Sequence, residues 1–261
     1  MVDPAMIAAG LTVGLLVGLT GMGAGSLMTP ILISVFGIPA TTAVGTDLIY
    51  SSITKCFGAA RHHQLQNVNR ELAFWFASGS VPAALFGTFA LYNLFGDNVS
   101  SWLPRLIGYM LILVGIAVVI RTFVTIRGLI DATKVPVDGE LQTWHKASAV
   151  VIGLVFGFLL GLTSVGAGVF FGMAMVTLYP LSTRKVVGTD IFHGAMVTLA
   201  AAVGTILWGT PDFGVIGSLI IGSIPGILIG SHFTAKMNQR VLRSSIAGVL
   251  AASGLKLLGA W

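Results

Sequence analysis

Charge is what this sequence has least of. Only 9% of its 261 residues are Asp, Glu, Lys or Arg while 55% are hydrophobic, whereas an average soluble domain is about a quarter charged. With a mean hydropathy of +0.94, this excludes a solvated globular surface and makes the chain an integral membrane protein. Cysteine is scarcer still. Cys56 stands alone, which excludes an internal disulfide and any metal site built on paired thiolates, and leaves the redox compartment open. A basic cluster of the kind that grips nucleic acid is also missing. The formal net charge is +5, but the Lys and Arg residues are spread over separate loops, which fits orientation in a bilayer and gives no surface for nucleic acid. Neither metal-ligand spacing nor a cofactor motif appears, so no metal and no cofactor is expected. The residues ahead of the first apolar stretch, Met-Val-Asp-Pro, include no Lys or Arg, so that stretch reads as retained in the membrane and not as a secretory signal.

Glycine, by contrast, is plentiful at 34 residues, and many of these fall into a repeat. Pairing each residue of 10–88 with the one 143 positions later gives 20 identities in 79 without a gap. They include Gly-Leu-Thr-x-x-Gly-Ala-Gly at 18–25 and 161–168, Val-Gly-Thr-Asp at 44–47 and 187–190, and Gly79, Ser80, Pro82 and Gly87 with Gly222, Ser223, Pro225 and Gly230. Duplicated membrane units with interrupted hydrophobic segments are the sequence signature of secondary transporters, whose substrate sites lie where the repeats meet. The steps Gly10, Gly14, Gly18 and Gly222, Gly226, Gly230 read as helix-packing faces. If they face lipid, they suit a homodimer.

Apolar segments fall at 5–20, 22–36, 42–60, 72–95 and 102–125, then at 147–163, 165–180, 186–208, 213–235 and 241–259. The expected architecture is therefore an all-α polytopic membrane protein: a first repeat over 1–125, a polar cytoplasmic linker over 126–146, and a second repeat over 147–261. Five segments per half is an odd number, so the second half enters from the opposite side and the repeats are inverted. The basic residues agree. Arg61, Arg70, Arg127, Lys134, Arg184, Lys185, Lys236, Arg240 and Arg243 all fall in loops assigned to one side. By the positive-inside rule that side is cytoplasmic, which places the chain in the cell's inner membrane with both termini extracytoplasmic. The first two segments of each half are short of the ~20 residues that span ~30 Å of hydrocarbon. They read as a Gly-turned hairpin, re-entrant or bent, whose turn is buried in protein or lines a cavity.

Two such turns, Gly21–Gly25 and Ser164–Gly168, supply the first candidate site. Backbone N–H groups at a helix start bind anions, with Gly23, Gly25, Gly166 and Gly168 allowing close approach and Thr20, Ser26, Thr163 and Ser164 adding hydroxyls. The competing reading is a tight turn packed with small residues. Asp47 and Asp190 in the repeated Gly-Thr-Asp either cap a first helical turn or accept a proton and orient a neighbour. Lys55 is the basic residue well inside an apolar segment. It serves a substrate anion as counter-ion, or snorkels to the interface near Arg61. Ser51 and Asp47 share part of its helical face. His193 and its repeat counterpart Tyr50 point to the cavity or pack beside an acid. Arg61 and His62, with His63, form an interfacial anchor or a funnel for anions.

These residues resemble a known family. Gly-x-Gly-x-Gly at 21–25 followed by Pro30, then Gly-Thr-Asp, then His62-x-x-x-x-Asn67-Val68 is similar to the TauE/SafE family of sulfite exporter-like membrane permeases. Family motifs commonly read Gly-Gly-Gly in the turn and Gly-Asn-Val-Asp after the His; here Ala24 takes the middle glycine, and Gln66 and Asn69 take the flanking Gly and Asp. A role resting on that acid does not transfer to Asn69. The resemblance implies secondary transport of a sulfur oxyanion or organosulfonate at a Gly-rich anion site. The expected function is an exporter of a small sulfur-containing anion, such as sulfite or a short sulfonate, working by alternating access with the anion and the lipid bilayer as its partners. The alternatives are an anion channel on the same scaffold, or an intramembrane enzyme using His193 and Asp190.

The predicted topology is directly testable. Single cysteines at Arg127 and Asn98, in a background lacking Cys56, are expected to label from opposite faces of the membrane; labelling of both from outside intact cells removes the inverted-repeat arrangement.

Overall fold

The computed structural model of the chain describes residues 3–20, 27–96, 99–126, 140–179, 181–233 and 239–259. Among them the regular elements are helical throughout: α1 (Pro4–Thr20), α2 (Met28–Ser34), α3 (Ala40–Gln64), α4 (Arg70–Phe89, continued by a π-helical turn Ala90–Leu94), α5 (Val99–Ile126), α6 (Thr143–Thr163), α7 (Ala167–Leu178), α8 (Thr183–Trp208), α9 (Phe213–Phe233) and α10 (Gln239–Leu257). Each falls on one of the ten apolar segments. Among the described residues, five spans are long and apolar enough to cross a membrane: Arg70–Leu94, Val99–Ile120, Thr143–Thr163, Lys185–Trp208 and Phe213–Gly230. The 25 residues of α3 would cover about 37 Å at 1.5 Å per residue, but this helix carries Asp47, Lys55 and Arg61 and is correspondingly less apolar.

Local chemistry sets the helix ends. The Asn69 side chain accepts the Leu72 N–H at 3.0 Å and starts α4. Asp212, exactly one repeat later in the pairing, accepts the N–H groups of Gly214 and Val215 and starts α9. Side-chain oxygens at such positions satisfy N–H groups that have no helical partner.

The second half differs from expectation at its start. Helix α6 begins at Thr143, inside the polar stretch, because the His145 ring accepts the Gln142 N–H at 3.0 Å and Lys146 pairs with Glu71 on α4 at 2.8 Å. The ion pair is partly exposed and is worth about 0–1 kcal/mol. A polar first turn is invisible to a hydropathy reading, which is why α6 reaches 21 residues where the apolar run alone suggested a short arm. The remaining hairpin arms are short: α1 has 17 residues, α2 has 7 and α7 has 12.

Helix packing follows the repeat. The most extensive pairs are α1 with α9, α4 with α6, α3 with α8, and α5 with α10. The first helix of each half thus pairs with the fourth of the other, and the third and fifth pair with their own counterparts. Glycine makes the close approaches. Gly10 and Gly14 lie on the backbone of Leu219 and Ser223; one repeat later, Gly153 and Gly157 lie on Phe76 and Ser80. Gly222 meets Ile7 and Leu11, and Gly79 meets Val150 and Leu154. Gly10, Gly14, Gly222 and Gly226 are therefore used inside the chain, so they do not present a lipid-facing step to a second copy.

Contact order also gives relative direction. Along α3, Gly45, Lys55 and Gly58 meet Thr205, Gly194 and Ile191 on α8, so these two counterparts run antiparallel. Helices α5 and α10 do the same, with Gly108 on Gly254 and Gly115 on Ala247. Tyr50, Phe76 and Phe171 are fully buried at the centre, while Phe86, Ile206, Phe213 and Leu228 are turned outward, as lipid contact requires.

A Cβ at Gly157 would lie 2.5 Å from Ser80 O and 2.6 Å from Ser80 Cα, whereas Gly248 has open space around it. Gly157→Leu is therefore expected to destabilise the protein by about 1–3 kcal/mol or more, with Gly248→Leu near wild type. Thermal unfolding in detergent checks both; equal midpoints would contradict the close α4–α6 contact.

Candidate functional site

The residues of interest gather where α3 and α8 meet the turn between α6 and α7. Asp47 lies two turns into α3 and is completely buried, so it does not cap the helix start. Among the described residues its carboxylate accepts three hydrogen bonds: Thr29 Oγ1 donates to Oδ2 at 2.6 Å, Ser164 Oγ to Oδ2 at 2.9 Å, and Ser51 Oγ to Oδ1 at 3.1 Å. Thr29 comes from α2, Ser51 from the next turn of α3, and Ser164 from the other half of the chain. Burying an isolated carboxylate in apolar surroundings is prohibitive. Three hydroxyl donors, that of Thr29 at a charge-assisted distance, are what make it tolerable here.

Ser164 is held by the backbone. Helix α6 ends at Thr163, and Ser164 takes a left-handed conformation with φ of 57°, its N–H bonded to Leu160 O at 2.7 Å. Gly166 follows with φ of +89° and starts α7. A second left-handed residue two places on needs glycine, since a Cβ there is strained. Thr163 stabilises the turn by donating to Leu159 O at 2.7 Å and accepting the Val165 N–H at 3.2 Å. Thr163, Ser164 and Val165 are buried, so this charge-free turn is enclosed by protein. Gly168 sits in the first turn of α7 and is partly buried.

The neighbouring threonines of the repeated motif do a different job. Thr46 Oγ1 accepts the Asp212 N–H at 3.0 Å, and Thr189 Oγ1 accepts the Asn69 N–H at 2.9 Å. Each ties its helix to the start of a helix in the opposite half. The capping function anticipated for Gly-Thr-Asp thus belongs to the threonines and is exerted across the molecule.

Lys55 is partly buried on the α8 side of α3. A Cβ on Gly194 would lie 3.5 Å from Lys55 Cδ and 3.7 Å from Cε and Nζ, so the side chain runs over that glycine. Its ammonium is within electrostatic reach of Asp190 first and Asp47 second. Asp47 and Lys55 are 8 residues apart, or about 12 Å along the helix. The structure therefore brings the α6–α7 turn to Asp47, and Lys55 to the neighbourhood of Asp190.

His193 is fully buried; its Nε2 is 2.7 Å from Ser80 Oγ, and its ring packs edge-on to Phe171 at 4.4 Å and beside Phe76 at 5.5 Å. Nδ1 finds no hydrogen-bond partner among the described residues. Tyr50, its counterpart, is also fully buried and faces Ser223, the counterpart of Ser80, outside good hydrogen-bond geometry. His62 is partly buried in the last turn of α3. Gly23, Gly25 and Ser26, together with the side chains of Thr20 and Arg61, lie outside the described residues.

Two polar partners were missed by sequence reasoning. Ser80 carried a signal, since Gly79-Ser80-x-Pro82 recurs as Gly222-Ser223-x-Pro225. Thr29 carried none: it is one hydroxyl in an apolar segment, and its counterpart is Gly172. Among the described residues no group of three or more His, Cys, Asp or Glu could hold a metal ion.

Comparison with known proteins gives the family. The family described as Sulfite exporter TauE/SafE matches residues 6–257. The chain is 40% identical over 257 residues to the probable membrane transporter protein YjnA of Bacillus subtilis (strain 168), covering 97% of this chain and 98% of the relative. It is 28% identical to the probable membrane transporter protein YdhB of the same organism, over 94% and 96% of the two chains. A probable membrane transporter protein of Methanocaldococcus jannaschii is 27% identical over 98% of this chain and 95% of the relative. No solved structure matches. The chain, helical throughout its described elements and matched from residue 6 to 257, belongs to the sulfite exporter TauE/SafE family of membrane transporters.

Proposed function

We propose that this protein is a secondary transporter of a small sulfur-containing anion, sulfite or a short organosulfonate, working by alternating access between two inverted repeats. The observation that carries the proposal is the pattern of contacts. First-to-fourth pairing exchanged between halves, with the third and fifth helices antiparallel to their own counterparts, is what a twofold axis in the membrane plane produces. The family description supports the sulfur anion.

In this reading Lys55 receives the anion. It is a cation in an apolar span whose resting neighbour is Asp190, and substrate would take over part of that pairing. The α6–α7 turn flanks the path, with the N–H groups at the start of α7 unpaired by the helix itself. Rocking of one half against the other must break and remake the bond between Asp47 and Ser164, since it joins the two halves. The basic loops mark the cytoplasmic side of the inner membrane, which leaves both termini outside. Left to a negative-inside potential of ~2.3 kcal/mol per charge per 100 mV, a monoanion moves outward by roughly 50-fold, so without a coupled cation the carrier exports.

Flux assays in proteoliposomes with sulfite, thiosulfate, sulfate, taurine and sulfoacetate test the proposal. Saturable flux with counterflow for at least one of them is the expected result; unsaturable flux would point to a channel, and substrate conversion to an enzyme. Lys55→Gln removes one charge-assisted hydrogen bond, worth about 1.5–3 kcal/mol, so substrate affinity should fall roughly 10- to 150-fold. Lys55→Arg should retain part of it. An unchanged dissociation constant for Lys55→Gln by calorimetry would remove Lys55 from the anion site.

A further inference from the structure

The two Gly-Thr-Asp copies have the same backbone setting and opposite surroundings. Among the described residues, the side chains that donate to Asp47 are all hydroxyls: Thr29, Ser51 and Ser164. In the sequence pairing, the repeat counterparts of Thr29, Ser51 and Ser164 are Gly172, Gly194 and Gly21. The sequence keeps the acid and replaces each hydroxyl residue with glycine. In their place the first half sends Lys55 across Gly194 toward Asp190. One carboxylate therefore has a cation built into the chain, and the other has a cage of oxygens.

We propose that Asp47, Thr29, Ser51 and Ser164 form a sodium-ion site. Hard cations take oxygen ligands. A hydroxyl has two lone pairs and one rotatable hydrogen, so a group that donates to the carboxylate still has lone pairs to offer an ion. Asp47, Thr29 and Ser51 are completely buried and Ser164 is 3% exposed, so bulk water does not compete for the ion. The C-terminal end of α6 arrives at the same place. Its last carbonyls have no helical partner and carry the negative end of the helix dipole, and its cap, Ser164, is itself one of the ligands. Broken-helix ends of this kind coordinate sodium in secondary transporters generally.

The site bridges the halves, with Thr29, Asp47 and Ser51 from the first and Ser164 from the second. An ion bound there stabilises one relative arrangement of the halves, which is the differential affinity that coupling requires. Its role in coupling rests on the transport reading above; its existence does not. With sodium coupled, the same carrier can move an anion inward against the membrane potential.

The test uses the purified full-length chain and radiolabelled sodium, with no anionic substrate present. Saturable binding displaced by Na+ and not by K+ or choline is expected. Ser164→Ala and Thr29→Val, each deleting one oxygen, should weaken it about tenfold, Asp47→Asn should abolish it, and Asp190→Asn should leave it intact. Should Asp47→Asn fail to fold, the two hydroxyl variants carry the test, judged against wild-type thermal unfolding in choline chloride. The proposal is overturned by absence of saturable Na+ binding, by binding indifferent to Ser164→Ala and Thr29→Val, by equal loss in Asp190→Asn, or by proton uptake at Asp47 with no sodium requirement. Because the readout needs no substrate, sodium binding without flux of any sulfur anion would sink the transport reading alone, and sulfur-anion flux without sodium binding would sink the site alone.

Discussion

A fully buried carboxylate in an apolar molecule is the constraint around which the rest is arranged. Asp47 cannot be left unsolvated in the membrane interior, and the fold answers with three hydroxyls from three separate elements. Supplying Thr29 requires α2 to pack on α3. Supplying Ser164 requires α6 to end at Thr163 and the chain to turn through two left-handed residues, which in turn requires glycine at 166. The short arms and the glycine turn, odd features when read singly, follow from placing an oxygen against that carboxylate.

The backbone contacts of the two halves repeat with fidelity while their chemistry does not. Thr46 and Thr189 bind the backbone of Asp212 and Asn69, counterpart to counterpart. Gly14 and Gly157 lie on Ser223 and Ser80. Yet Tyr50 faces Ser223 where His193 bonds Ser80, and Lys55 corresponds to Thr198. The symmetry therefore lies in the packing, and the asymmetry in the polar side chains at the centre.

The framework was legible because it depends on residues that cannot be replaced cheaply. A helix crossing at Gly157 leaves no room for a Cβ, so the glycines recur at fixed spacing, and the fixed spacing reveals the repeat. Polar contacts between distant segments were not legible in the same way. Thr29 is one hydroxyl in an apolar run, and no spacing ties it to Asp47, 18 residues away. Asp47 looked like a helix cap because the polar residues preceding it resemble a boundary; α3 in fact starts at Ala40, and the cap is Thr46 acting on the opposite half. The start of α6 was hidden for the opposite reason, since His145 caps it and Lys146 pairs with Glu71 of α4, while hydropathy counts both residues as linker.

The central claim is that the Asp47 carboxylate and the Ser164 hydroxyl join the two halves directly. A double-mutant cycle measures it most directly: thermal or denaturant stability of Asp47→Asn, Ser164→Ala and the double variant, in one detergent at one salt concentration. A shared buried hydrogen bond predicts a coupling energy of about 0.5–3 kcal/mol. Strict additivity of the two single effects would mean that the halves are held together elsewhere.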